Sequence, residues 1–109
     1  MTGDTFEGRP NTELEQFQVD LAHVFGEVSL ILTERHQGYG SGNLLEDEHV
    51  GIAIRMKDKC ARIINLTSHP QFLPTEQLQA KRESIRDAYL DLIGYAANGL
   101  LMLEGKLKP

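Results

Sequence analysis

Ile85, Ala88, Tyr89, Leu92, Ala96, Leu100 and Leu103 recur at intervals of one, three and four residues. That spacing lays them along one stripe of an α-helix. A half-buried strand cannot use it, because its side chains alternate with a period of two. The stretch from Glu83 to Ala96 is the core of this helix. Glu83, Asp87 and Asp91 fall at i, i+4 and i+8 within it, so they stack on one face. Like charges in that register repel by roughly a few tenths of a kcal/mol per pair. A divalent cation would reverse the sign, since a hard metal such as magnesium takes carboxylate oxygens. A solvated acidic face is the plainer alternative.

The rest of the chain also reads as helix and turn. Residues 1–10 carry Gly3, Gly8 and Pro10 and are expected to form an N-terminal arm. Thr12 and Glu15 have the spacing of a capping box, and a first helix is expected from Glu13 to His36. Its apolar positions are Phe17, Leu21, Val24, Phe25, Val28, Ile31 and Leu32; Glu27 and Glu34 share the other side. Gly38, Gly40 and Gly42 then predict a turn-rich loop over 37–49, either a connector or a backbone that approaches a ligand. It lacks the Lys-Ser/Thr of a Walker A loop, and no strand precedes it as in a dinucleotide fingerprint.

A second helix is expected over 50–66. Ala53, Met56, Cys60, Ile63 and Ile64 form its expected buried stripe; Arg55, Asp58, Lys59 and Arg62 form the opposite one. Two prolines predict a break over 67–74. The third helix begins between Thr75 and Arg82 and ends near Gly105, before a basic tail at 106–109. The expected fold is an all-α antiparallel bundle of three main helices, one domain over 11–105. Three helices leave apolar surface over, so completion by dimerisation through the first or third helix is expected. The small residues Gly94, Ala96, Ala97 and Gly99 would permit close approach.

A net charge of -5 argues against a nucleic-acid polymer as partner, because phosphate backbones need a basic surface. No apolar run approaches the roughly 18 residues of a membrane span, and residues 1–5 lack the pattern of a signal peptide. The single cysteine, Cys60, is expected to be a buried thiol rather than a nucleophile. These features predict a soluble protein of a reducing cytoplasm. The four histidines form no zinc-ligand spacing. Acidic faces beside a cationic one suit a nucleotide polyphosphate held through a metal. Arg55, Lys59 or Arg62 would neutralise phosphate charge there. Pairing of Arg55, Asp58 and Arg62 within their own helix is the alternative.

Three motifs occur in order: Tyr39-Gly40; Arg55-Met56-x-Asp58-Lys59-x-x-Arg62; and Glu83-Ser84-Ile85-x-Asp87-x-x-x-Asp91-Leu92-x-Gly94-Tyr95-Ala96. Together they resemble the phage-encoded nucleotide modification associated domain 1 family, over about residues 28–104. That family is similar to the MazG-like all-α nucleotide pyrophosphohydrolases and the dimeric dUTPases. The resemblance implies a phage protein acting in the host cytoplasm. It implies magnesium-dependent hydrolysis of a nucleoside triphosphate to monophosphate and pyrophosphate.

On that reading Glu83, Asp87 and Asp58 are catalytic metal ligands, with Asp91 or Glu34 completing the Mg2+ site. Arg55, Lys59 and Arg62 hold phosphates, and Tyr39 or Tyr95 the base. The sequence departs from the enzymes' pattern in two ways: the earlier helix has no Glu-x-x-Glu, and Glu83 and Asp87 are four residues apart rather than three. It also departs from the nearer family, in which an Asp commonly precedes the Tyr-Gly; here that position is Gly38. Those departures motivate the alternative, a non-catalytic homo-oligomeric protein that binds a nucleotide or a host protein.

Overall fold

The structure is a computed structural model. It describes residues 12–40, 42–68 and 75–107, without the side chains of Tyr39, Asn43, Leu44 and Leu45. The arm at 1–10, residues 69–74 of the expected break and the end of the basic tail lie outside the described residues. The fold is all-α: α1 is Thr12–Tyr39, α2 is Gly42–Thr67 and α3 is Thr75–Leu103. No strand occurs among the described residues. The chain divides into two units within α1, residues 1–31 and 32–109.

In the first unit the described residues are a single helical segment. Val28 is buried there, whereas Phe17, Leu21, Val24 and Phe25, expected in the core, are exposed.

The second unit holds the end of α1 together with α2 and α3. α1 continues past the expected His36 and stops at Gly40, whose φ of 68° is the left-handed conformation that ends helices. Its amide donates to the His36 carbonyl at 2.8 Å. The expected glycine-rich loop over 37–49 is therefore overturned. Gly38 lies in α1 and Gly42 in α2, leaving only residues 40 and 41 between the helices. α2 is interrupted at Glu48 (φ 54°, ψ -141°), so its long arm begins near the expected residue 50. At the far end Ser68 N–H donates to the Ile64 carbonyl at 2.9 Å.

α3 starts at the early limit of its expected range. It closes on Gly105 (φ 69°) in a paired cap: Gly105 N–H donates to Met102 O at 3.1 Å and Lys106 N–H to Leu101 O at 2.8 Å.

α2 and α3 form the main helix contact of this unit. Lys59 reaches Asp91 and Arg62 reaches Ser84, so the two helices run antiparallel. Arg35 and Leu32 of α1 meet Asp91 and Gly94 in the same sense. Both α1's last turns and the long arm of α2 thus run against α3. Among the described residues, Ile52 and Ala88 are the buried apolar side chains of this unit. Gly94 is buried as well, and a Cβ there would lie 3.1 Å from Leu32 Cδ2. Leu32 of α1 thus approaches α3 closely at Gly94, whereas nothing lies within 4 Å of a Cβ placed at Gly99.

Candidate functional site: a cation row between α2 and α3

The expected orientation of α2 is reversed in part. Ala53, Cys60 and Ile64, expected to be buried, are exposed, while Arg55 and Lys59 are half-buried. The cause is across the helix pair. Arg55, Lys59 and Arg62 recur at four and three residues, the spacing of one helix face. Turning that face towards α3 lets Lys59 Nζ approach Asp91 Oδ2 at 3.0 Å. It also lets Arg62 donate from Nε and Nη2 to Ser84 Oγ at 3.1 and 2.7 Å. Long aliphatic stems allow such residues to cover apolar surface while their charged ends find partners. The price is that Cys60 and Ile64 face outward.

Asp91 is the acidic centre of this row. Its Oδ1 also accepts from Arg35 Nη2 at 3.3 Å, so one carboxylate serves a cation from α1 and another from α2. The Asp91 side chain is 20% exposed, which leaves the attraction only partly screened. Arg35 was missed by the sequence reading, because a long-range partner leaves no periodic signal. Ser84 was noted only within the motif.

The remaining cations are less well matched. Arg62 meets a neutral hydroxyl. Arg55 Nη1 is buried without a hydrogen-bond partner among the described residues. A buried guanidinium nitrogen left unpaired costs free energy, about 1–3 kcal/mol for an ordinary polar group and more for a charged one. The same residue lines an open pocket of about 340 Å³ with Asp47, Val50, Gly51 and Ile54, beside the break at Glu48. Arg55, Lys59 and Arg62 extend from the pocket along about two turns of helix, roughly 10 Å.

Of the expected metal ligands, Asp91 is the one the structure brings into this arrangement. Glu83, Asp87, Asp58 and Glu34 are exposed, and Glu83 accepts from Gln79 Nε2 at 3.1 Å. Asp91 is engaged by Arg35 and Lys59. Among the described residues no three His, Cys, Asp or Glu side chains are grouped so that they could hold a metal ion. Tyr95 is half-buried on α3; the side chain of Tyr39 is not described. No described helix is long and apolar enough to cross a membrane. Comparison with protein-family models, with curated proteins and with solved structures gives no match for this chain.

Proposed function

We propose that this protein binds the phosphate groups of a nucleotide along Arg55, Lys59 and Arg62 and holds the nucleotide without hydrolysing it. The observation that carries this reading is the buried Nη1 of Arg55, unpaired among the described residues, at the head of a row in which Arg62 meets the neutral hydroxyl of Ser84. Phosphate oxygens suit both groups, because guanidinium N–H donors pair with them in charge-assisted hydrogen bonds. The pocket beside Arg55, walled by Val50 and Ile54, has the apolar surface a base or sugar would contact. The carboxylate of Asp91 is the partner of Lys59 when no ligand is bound.

A second reading keeps the hydrolysis implied by the resemblance to the phage nucleotide modification associated domain 1 family. Glu83 and Asp87 stand one turn apart on α3 and are both exposed, which favours it. A magnesium site would then need a further donor from outside the described residues or from another chain. If it formed, the metal would polarise phosphate oxygens; Arg55, Lys59 and Arg62 would keep the same phosphate-binding role.

Calorimetric titration with nucleoside triphosphates, with and without magnesium, followed by product analysis, separates the two. Binding that survives chelation of the metal, with the triphosphate recovered intact, supports the first reading. Magnesium-dependent release of pyrophosphate over many turnovers would replace it with the second. Absence of binding to every triphosphate would overturn both and direct attention to a host protein as partner.

A further inference from the structure

The break at Glu48 and the glycine at 51 act together on the pocket beside Arg55. Asp47, Gly51 and Arg55 follow one another at four-residue intervals. In an unbroken helix the Cβ atoms of residues four apart stand roughly 5–6 Å from each other. Here a Cβ placed on Gly51 would collide with that of Asp47, and Asp47 Oδ2 would lie 3.4 Å from it. The non-helical backbone of Glu48 (φ 54°, ψ -141°) thus folds Asp47 onto Gly51. A non-glycine residue in that conformation is strained, and such strain clusters at sites that hold ligands. Its product is a pocket of about 340 Å³ in which an acid, Asp47, and a cation, Arg55, line one space with Val50 and Ile54. Both apolar residues are well exposed, at 69% and 56%.

These groups ask for complementary features in one ligand. Arg55 carries donors only, and its Nη1 is buried without a partner among the described residues, so it takes an anion. A carboxylate is acceptor-only and repels phosphate, so the part of the ligand beside Asp47 must supply donors. We propose that Asp47 accepts hydrogen bonds from the 2′- and 3′-hydroxyls of a nucleotide whose 5′-phosphate lies on Arg55, so that this pocket selects ribonucleotides over 2′-deoxyribonucleotides. The inference rests on the phosphate-binding reading given above. Two carboxylate oxygens match two neighbouring hydroxyls, and an ionised acceptor strengthens both bonds. The 5′-phosphate and the two hydroxyls leave opposite sides of one ribose ring. A single sugar can therefore span from acid to cation while its carbon atoms cover Val50 and Ile54. Further phosphates then run from Arg55 towards Lys59 and Arg62, away from the acid.

Calorimetric titration of the full chain tests this, with the ribo and 2′-deoxyribo forms of each nucleoside triphosphate in excess chelator. For the base that binds best, the ribo form is expected to bind about tenfold more tightly. Asp47→Ala keeps the Cβ that packs on Gly51 and removes the carboxylate. It should weaken the ribo form by about tenfold and leave the deoxyribo form within about twofold, so that the preference disappears. Equal affinity of the two forms for the original protein would overturn the assignment of Asp47 and leave the phosphate-binding reading standing. A parallel fall of both forms in Asp47→Ala would also overturn it, since the residue would then serve the fold of the bend and not the sugar. Circular dichroism of that variant checks that α2 is intact. Failure of every triphosphate to bind the original protein would sink the phosphate-binding reading and this inference with it.

Discussion

Lys59 of α2 and Arg35 of α1 share Asp91 of α3, at 3.0 Å to one carboxylate oxygen and 3.3 Å to the other. One side chain thereby ties three helices of the second unit. Asp91→Asn keeps the shape and removes the charge. Arg35 is about half exposed and the pair is partly screened, so the expected loss is modest, about 1 kcal/mol. Urea unfolding should report it as a lower midpoint with an unchanged slope, and the loss should shrink in high salt.

Glu48 has a backbone conformation that suits glycine (φ 54°, ψ -141°). A non-glycine residue held there stores about 1–3 kcal/mol of strain. Glycine would release it while adding about 0.5–1 kcal/mol of unfolded-chain entropy. Glu48→Gly is therefore expected to stabilise the protein by about 1 kcal/mol, a rise of several degrees in the thermal midpoint for a domain of this size. A lower midpoint would mean that the break in α2 is not under strain.

Two helical glycines should respond oppositely to alanine. A Cβ at Gly26 meets nothing within 4 Å, so Gly26→Ala gains helix propensity, about 1 kcal/mol. A Cβ at Gly51 collides with the side chain of Asp47 across the break at Glu48. Gly51→Ala is expected to lose about 1–2 kcal/mol net, the overpacking cost exceeding the propensity gain. Asp47→Gly in the same chain should recover most of that loss. Thermal melts of the two single variants and the double variant test the contrast.

These glycines also mark where the sequence could be read and where it could not. Gly40, Gly38 and Gly42 look alike in composition, and together they suggested a loop. Only Gly40 sits at positive φ; helices absorbed the other two. The three-helix content was legible because Ile85 through Leu103 and Phe17 through Leu32 carry clear helical spacing. The facing of α2 was not. Hydrophobicity assigned Cys60 and Ile64 to the core, whereas both are exposed and Arg55 and Lys59 are half-buried, with Asp91 and Ser84 of α3 meeting Lys59 and Arg62. Such partners are distant in sequence and have no local signature. Exposure of Phe17 and Phe25 was equally hidden, since an apolar stripe specifies that a surface be covered without naming what covers it.

The same Asp91 distinguishes the two functional readings, because its removal acts in opposite directions. If the cation row binds phosphate, Asp91 competes with the ligand for Lys59. Asp91→Asn should then tighten nucleotide binding, by about tenfold if one charged partner is released. Arg55→Met, which keeps the aliphatic stem, should weaken it by about tenfold or more. Asp87→Asn should leave the affinity near that of the original protein. If Asp91 and Asp87 instead hold magnesium, each Asn variant should abolish metal-dependent turnover, and neither should strengthen binding. Calorimetry on the three variants at one salt concentration gives the sign of each change. A weaker complex with Asp91→Asn, in a protein whose melt shows it folded, would remove the competition on which the non-hydrolytic reading depends.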